Sequence, residues 1–349
     1  MESVMKRFLS FLLCLTVLSG CSAQPPKAEP LQTQFFSMDT VMSLRIYDGG
    51  GEETLHAARR EVERLDKLLS RTNGDSQISA LNAHAGDGTM VRLEPEVAGL
   101  LSFAKSVSGL LPGAFDITIA PVMDAWGFTT EERRVPSAKT LAAAMALTDS
   151  AMLTVDEAAS AARLEQAGME VDLGAVAKGF TAARVETVLR EGGVRSALLD
   201  LGGNITALGS KADGSPWQVA VKDPQDTGEA LCVLSLSDQT ASTSGGYERY
   251  FEEDGVLYHH IIDPRTGFPA HSGLRSVTVV SPDHTLADAL STALFVAGPE
   301  EALDFWRSRD DFELVLCADD GSVIVTEGLE AGFRPTGEDR GYTYEIARR

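Results

Sequence analysis

The chain has 349 residues, of which 44% are hydrophobic, and its 51 acidic and 30 basic side chains give a formal net charge of −21 at pH 7. This length and apolar content suffice for a sizeable core, in one large domain or two. The acidic charge excludes nucleic acid as a partner, because phosphate backbones are bound by clustered Lys and Arg. It also means that anionic lipid headgroups repel the folded body.

An export signal opens the chain. Lys6 and Arg7 precede an apolar run at residues 8–18, which is too short for a permanent membrane helix, and Leu18-Ser-Gly-Cys21 follows. Small residues before a cysteine are typical of the cleavage box of a lipoprotein, in which the freed Cys21 carries the lipid. The alternative is an ordinary secretory signal with a coincidental cysteine.

This interpretation sets the expected domain organisation. We expect a signal peptide at residues 1–20, a lipidated cysteine and Pro-rich tether at residues 21–30, and a single catalytic domain at residues 31–349. The sequence has no internal repeat or second Pro-rich linker, which favours one body with an internal cleft. Because that body is acidic, the lipid must hold it, and we expect it at the extracytoplasmic face of the bacterial cell membrane.

Periodicity predicts the first elements of the domain. Alternation predicts a strand from Phe35 to Tyr47, and apolar residues at helical spacing predict a helix from Leu55 to Leu69. A second helix is expected after Pro95, ending near Ser108, and a third from Ala138 to Leu147. None of these segments carries an obvious metal or nucleophile motif.

Two cysteines remain in the domain, Cys232 and Cys317, each among apolar residues typical of strands. An exported compartment permits a disulfide, but one pair far apart in sequence is weak evidence for it, and we expect buried free thiols. The sequence has no Cys-x-x-Cys or His-x-x-x-His pattern, so a zinc site is not expected.

The segment Glu170-Val-Asp-Leu-Gly-Ala-Val-Ala-Lys-Gly-Phe180 combines a predicted strand end at residues 171–173, a turn at Gly174 and a helix over residues 176–190. The N-terminus of such a helix offers N–H groups and the positive end of its dipole to phosphate, and Lys178 adds a charge. The alternative is a structural glycine turn, because the segment lacks the Gly-x-Gly-x-x-Gly and Walker spacings.

His260 begins the run His-Ile-Ile-Asp-Pro-Arg-Thr-Gly and lies in a predicted strand, residues 258–262, that ends in a tight turn. Side chains at strand ends beside turns commonly line sites, so His260 is a candidate base, and Asp263 is the rival base. The alternative is that His260 is a hydrogen-bonded core residue.

The last informative segment is Ala287-Asp-Ala-Leu-Ser-Thr, within a predicted helix over residues 286–296. Asp288 and Thr292 are four residues apart and therefore lie on one face of that helix. A carboxylate and a hydroxyl are a poor zinc set but suit magnesium, which keeps waters and takes further ligands from substrate phosphate. The alternative is an aspartate favoured only by the helix dipole.

Five motifs together resemble those of one family. They occur in the same order as in the ApbE family of FAD:protein FMN transferases, formerly labelled thiamine-biosynthesis lipoproteins, and the likeness extends from Met38-Asp-Thr to about residue 330. The motifs are Asp172-Leu-Gly-Ala-Val-Ala-Lys-Gly, Leu201-Gly-Gly-Asn, Thr243-Ser-Gly-Gly-Tyr-Glu-Arg-Tyr-Phe, His260-Ile-Ile-Asp-Pro-Arg-Thr-Gly and Ala287-Asp-Ala-Leu-Ser-Thr.

The resemblance implies an α+β fold with mixed or antiparallel sheets flanked by helices and a central flavin cleft. It implies an enzyme that uses Mg²⁺ to transfer FMN from FAD to a threonine hydroxyl of a target redox protein, releasing AMP. It also implies a role for individual residues. Those matching FAD-binding positions are Met38, Ala114, Phe115, Asp116, Asp172, Lys178 and Ile262. Those matching metal positions are Ala175, through its carbonyl, Asp288 and Thr292, and the family's proton-accepting histidine matches His260 rather than His259.

Three positions depart from the pattern of the family. Many relatives have glycine where this chain has Asp39, some have an aromatic residue near Thr72 that covers the flavin ring, and some have an acidic metal ligand where this chain has Ser291. The last departure favours one metal over two. Two other functions remain open, namely an FAD pyrophosphatase in which water replaces threonine, and a lipoprotein that stores flavin.

Overall fold

The computed structural model describes residues 29–130 and 132–349. The predicted signal peptide and Cys21 lie outside these residues, so those predictions stay as they are. Within the described part of the chain, no helix is both long and apolar enough to cross a membrane.

The described residues form helices and strands throughout their length. The helices are α1 (Glu52–Leu69), α2 (Gln77–Ala83), α3 (Pro95–Leu110), α4 (Ala120–Trp126), α5 (Ala138–Met145), α6 (Ala177–Glu191), α7 (His284–Ala297) and α8 (Pro299–Arg307). The strands are β1 (Leu31–Ser37), β2 (Thr40–Asp48), β3 (Val91–Arg92), β4 (Leu153–Asp156), β5 (Ala161–Leu164), β6 (Ser196–Leu201), β7 (Asn204–Leu208), β8 (Trp217–Lys222), β9 (Ala230–Leu236), β10 (Gln239–Gly245), β11 (Tyr250–Glu253), β12 (Val256–His259), β13 (Leu274–Ser281), β14 (Glu313–Ala318), β15 (Ser322–Thr326), β16 (Phe333–Pro335) and β17 (Thr343–Ala347).

A nine-stranded sheet organises the fold, with strand order β1-β2-β6-β7-β10-β13-β14-β15-β17. Neighbouring strands in this sheet are antiparallel, except for β15 and β17, which are parallel. Helices α1, α6 and α7 cover one face, where α7 packs on β10 and β13 and α6 packs between α1 and α7. This mixed sheet flanked by helices confirms the predicted α+β class.

A smaller sheet, of order β16-β9-β8, packs on part of the other face. Cys232 of β9 and Cys317 of β14 lie in the apolar core between the two sheets and are free thiols. Burial raises the pKa of each thiol to about 12. The prediction of buried free cysteines is therefore confirmed, and their chemistry is that of small apolar side chains.

The predicted helices are confirmed within a few residues at each end. The single strand predicted for Phe35 to Tyr47 is wrong, because Met38 and Asp39 turn the chain with φ of 48° and 58° and separate β1 from β2. The strand end predicted at residues 171–173 is also wrong, since only Glu170 pairs, in an isolated bridge with Ile119. The strand before His260 ends at His259.

Candidate active site

A row of hydroxyl groups on β10 faces α7. Alternate residues of a strand point to the same face and are about 6.8 Å apart, and residues four apart on a helix are separated by about one turn, which rises about 5.4 Å. Polar residues spaced by two on the strand can therefore meet residues spaced by four on the helix. The pairs are Thr240 with His284, Ser242 with Asp288 (Oγ to Oδ1, 3.4 Å), and Ser244 with Thr292 (Oγ to Oγ1, 3.1 Å).

Asp288 joins this row to the start of α6. Its Oδ2 accepts a hydrogen bond of 2.8 Å from the N–H of Gly179, and its Oδ1 lies 3.8 Å from Nζ of Lys178. Gly179 is the third residue of α6, where an N–H has no partner within its own helix. Asp288 is only 3% exposed, so the charge is held by these contacts and by the positive end of the helix dipole.

Glycine at position 179 is required by the close approach of the two helices. A Cβ atom at Gly179 would lie 2.2 Å from the carbonyl oxygen of His284 and 2.6 Å from Cβ of Asp288. The bond from Gly179 to Asp288 has a second consequence. If the helix began one turn earlier, the Gly179 N–H would bond to the carbonyl of Ala175, four residues before it. Here the Gly179 N–H donates to the carboxylate of Asp288 instead.

The residues predicted to hold a metal supply only oxygen atoms. They are the carboxylate of Asp288, the hydroxyl of Thr292 and the carbonyl of Ala175, a donor set that fits Mg²⁺ better than a metal that prefers nitrogen or sulfur. In the described residues no group of three or more His, Cys, Asp or Glu side chains could hold a metal. A magnesium ion here would therefore depend on substrate oxygens and water for its remaining ligands.

Asn204 is a further buried polar residue beside Asp288. Its Oδ1 accepts a hydrogen bond of 2.7 Å from Ser242, while its Nδ2 has no partner although the residue is only 1% exposed. Exchanging the two amide atoms would still leave one of them unpaired. An unpaired buried group of this kind costs about 1–3 kcal/mol, and a water or a ligand oxygen would satisfy the amide nitrogen.

His260 and His259 differ in what their ring nitrogens contact. His259 is buried, with Nε2 3.0 Å from the carbonyl of Ala270 and Nδ1 accepting from the N–H of Ile261 at 3.3 Å, so both its nitrogens are used. In His260, Nδ1 lies 3.2 Å from the carbonyl of Arg249. A carbonyl only accepts, so Nδ1 carries the proton and Nε2 keeps its lone pair.

The surroundings keep His260 neutral. Burial, together with the positive charge of Arg249, lowers the pKa of His260 to about 3, and the charge of Lys178 acts in the same direction. Arg249 also donates from Nη2 to the carbonyl of Asp39 at 3.3 Å. Arg249 therefore links the turn after β1 to His260, and the charge at the start of α6 acts on the same ring.

Asp263, the rival base, is already engaged. Its carboxylate accepts hydrogen bonds from the guanidinium of Arg265 at 2.9 to 3.2 Å and from the N–H of the same residue at 2.8 Å. The side chain of Arg265 in turn lies against Gly113, where a Cβ would be 2.9 Å from its Cγ. This ion pair holds the turn after His260 and leaves the His260 imidazole as the better placed proton acceptor.

The residues predicted to contact FAD differ in what surrounds them. Met38 adjoins α6, because Thr181 Oγ1 lies 3.7 Å from its sulfur, and Lys178 is in the first turn of that helix. The side chains of Ala114, Phe115 and Ile262 are buried in the apolar core, and their contact with FAD stays a prediction. The carboxylate of Asp116 is used by Thr118, at 2.6 and 2.7 Å, and by the N–H of Ser150, at 2.8 Å.

Arg71 organises the carboxylates near the start of α6, and sequence reasoning missed it. Its Nε donates to Asp172 at 2.9 Å, its Nη1 to Glu170 at 3.2 Å, and its guanidinium also binds Asp124. The other oxygen of Asp172 accepts from the N–H of Gly174 at 2.7 Å. No local pattern signals this role, because all three carboxylates are distant from Arg71 in the sequence.

Burial and contact with Arg71 act differently on two of these carboxylates. Burial and the neighbouring charge of Asp124 raise the pKa of Glu170. Burial also disfavours the ionised form of Asp124, but hydrogen bonds from Arg71 and Thr129 leave the pKa of Asp124 below its ordinary value. One guanidinium thus serves three acidic groups, and for Glu170 its positive charge does not offset burial.

Comparison with known proteins identifies the family. The model of the ApbE family matches residues 38–316, and this chain belongs to that family. A relative from Treponema pallidum, named FAD:protein FMN transferase, is 34% identical over 339 residues, covering 92% of this chain and 93% of the relative. A relative of the same name from Klebsiella pneumoniae is 34% identical over 314 residues, covering 90% and 93%.

Solved structures agree with this assignment. The crystal structure of an ApbE protein from Thermotoga maritima has a TM-score of 0.81 and 30% identity, covering 88% of this chain and 100% of that chain. The apo form of the flavinyl transferase ApbE from Pseudomonas stutzeri has a TM-score of 0.73 and 31% identity, covering 88% and 94%.

Proposed function

We propose that this protein is an FAD:protein FMN transferase that attaches FMN to a threonine hydroxyl of a target protein and releases AMP. The observation that carries the proposal is the His260 ring, whose Nδ1 is bonded to the Arg249 carbonyl so that Nε2 can accept a proton, with the charge of Lys178, which lies 3.8 Å from the buried Asp288, acting on that ring. Membership of the ApbE family and the names of its relatives supply the substrates, FAD and a protein.

The reaction is a phosphoryl substitution. The threonine oxygen attacks the phosphorus on the FMN side of the FAD pyrophosphate and forms a new P–O bond, while the P–O bond to AMP breaks and AMP leaves with the bridging oxygen. Nε2 of His260 accepts the hydroxyl proton, and the Arg249 carbonyl keeps the ring in the tautomer that can do so. Lys178, at the start of α6, offsets negative charge on the phosphates.

Magnesium is the metal that this donor set favours. Asp288, Thr292 and the carbonyl of Ala175 would hold it, and Mg²⁺ would neutralise charge that develops on the phosphate oxygens. Gly179 supports this role by fixing one oxygen of Asp288 at 2.8 Å. The amide of Asn204 fixes the hydroxyl of Ser242, which lies between the amide and Asp288.

The acceptors belong in the compartment that the signal sequence implies. Cleavage after residue 20 and lipidation of Cys21 place the enzyme on the extracytoplasmic face of the cell membrane, where membrane-bound redox proteins present their threonine. A Cys21→Ser variant expressed in a bacterial host is expected to lose lipid labelling by radioactive palmitate. Continued labelling of this variant would contradict lipidation at that cysteine.

One experiment tests the reaction. The full protein in detergent is incubated with FAD, magnesium and a redox domain that carries an exposed threonine, and the domain is weighed while AMP is assayed. A mass increase equal to FMN, with one AMP for each modified domain, is the expected result. FMN and AMP without a modified domain would identify a pyrophosphatase, and unchanged bound FAD would identify a storage protein.

A further inference from the structure

Part of the large sheet has no cover on the face opposite the helices. The small sheet ends at β8, while the large sheet continues through β6 and β2. On β2, Met42 and Leu44 point to the helices and are buried, whereas Val41 and Tyr47 point to the other face and are 54% and 42% exposed. An exposed strip, in which Ser43 and Arg45 separate these two apolar residues, therefore lies beside the edge of β8.

A groove follows that edge. It has a volume of about 260 Å³, and four consecutive residues of β8, from Val219 to Lys222, line one side of it. Successive side chains of a strand point to opposite faces, so a cavity lined by four in a row runs along the edge of the strand. In the described residues β8 has no strand neighbour on this side, which leaves backbone donors and acceptors facing the groove.

The groove lies on the face of the large sheet opposite the candidate active site, because its floor residues Ala241 and Thr243 alternate along β10 with residues that face α7. Two loops at its border connect it to that site. Gly202 and Gly203 line the groove and directly precede Asn204, whose amide is bonded to Ser242 beside Asp288. Tyr247 and Glu248 also line it and directly precede Arg249, whose carbonyl orients His260. The two loops that border the groove therefore continue into the reaction site, and no residue predicted to contact FAD lines the groove.

We propose that this groove binds the acceptor protein as an extended segment that adds a strand to the free edge of β8. The inference rests on the proposed function, because a transferase with a protein acceptor needs a polypeptide site separate from that of FAD. Backbone hydrogen bonds to β8 hold the segment, and its alternate side chains lie over Val41 and Ile205. The bound residues flank the threonine, which itself reaches His260 past the two bordering loops, because the floor of Ala241 and Thr243 faces away from Asp288.

Two matched tryptophan variants test the groove. Ala220 lines the groove and is exposed, so Ala220→Trp fills the space beside the strand without disturbing the core. Gln218 lies two residues earlier on the same exposed face of β8 but does not line the groove, so Gln218→Trp is the control. Transfer is measured at saturating FAD against acceptor concentration, and FAD binding is measured by flavin fluorescence.

We expect Ala220→Trp to raise the KM for the acceptor by about tenfold or more, which is roughly 1.4 kcal/mol of binding, with FAD binding unchanged. Gln218→Trp should keep the KM of the original protein. A second variant, Val41→Glu, places a charge on the exposed strip and should also raise the acceptor KM. If the original protein transfers FMN and neither groove variant changes the acceptor KM, the groove proposal is wrong and the proposed function stands. Absence of transfer by the original protein would overturn both.

Discussion

Gly179→Ala is the sharpest test of how the site is assembled. The new methyl group would meet the carbonyl oxygen of His284 at 2.2 Å and Cβ of Asp288 at 2.6 Å. The first of these is a backbone atom inside α7, which cannot rotate away, so α6 and α7 must separate. Separation lengthens the 2.8 Å hydrogen bond between the Gly179 N–H and the Asp288 carboxylate.

The expected cost follows from these contacts. Overpacking of this kind costs about 1–3 kcal/mol, and loss of a hydrogen bond to a buried charge costs about 1.5–3 kcal/mol. Alanine regains about 1 kcal/mol of helix propensity over glycine. We therefore expect the free energy of unfolding of Gly179→Ala to fall by roughly 1.5–5 kcal/mol, measured by urea titration, together with a large loss of FMN transfer.

Gly99 provides the matched control. It lies within α3, and a Cβ atom there would meet nothing within 4 Å. Gly99→Ala should therefore raise the free energy of unfolding by about 0.5–1 kcal/mol and leave transfer unchanged. If Gly179→Ala matched this control in both stability and transfer, the close approach of α6 and α7 would not be what positions Asp288.

Four further outcomes are expected. His260→Ala should still bind FAD, as measured by fluorescence, but should not transfer FMN, as measured by mass spectrometry. Undiminished transfer by this variant would exclude His260 as the base. Asp288→Asn should shift the magnesium dependence of transfer by about tenfold or more, and an unchanged dependence would refute that ligand. Because burial holds the pKa of His260 at about 3, the rate constant of a single turnover should not change when the pH is lowered from about 8 to about 6. A fall in that rate constant near pH 6.5 would contradict this. Arg71→Gln should destabilise by about 1–3 kcal/mol in urea, because its carboxylate partners lose their cation but Asp124 and Glu170 are 43% and 40% exposed to water. An unchanged free energy of unfolding would contradict this.

Local periodicity was sufficient to predict several elements of this fold. Helices α1 and α7 have apolar residues at helical spacing, and those residues are buried as that spacing requires. Asp288 and Thr292 were predicted to share a face of α7, and both meet the hydroxyl row of β10. Which residues of a helix share a face depends only on their spacing within a short segment, so that segment was enough to predict it.

Pairings between distant segments were not predictable in the same way. Ser242 and Ser244 belong to the site only because β10 lies beneath α7. Ser244 falls in the motif that begins at Thr243, but no spacing within the run Gln239 to Gly245 gives either serine a role. Arg71 meets Asp172 across 101 residues of sequence. The break between β1 and β2 was missed because neither Met38 nor Asp39 is a glycine, although both adopt positive φ.

The charges around His260 explain how an acidic protein can bind a dianionic pyrophosphate. In the described residues Arg249 has no carboxylate within ion-pair distance, and Lys178 has only Asp288, 3.8 Å away. One of the two cations that act on His260 is therefore unpaired in the described residues, although the chain has a net charge of −21. That unpaired cation attracts the phosphates of FAD but does not neutralise them, because the pyrophosphate carries two negative charges. A divalent cation on Asp288 and Thr292 would make up the difference. The dependence on magnesium should then be strongest in the transfer step, when charge passes to the departing AMP.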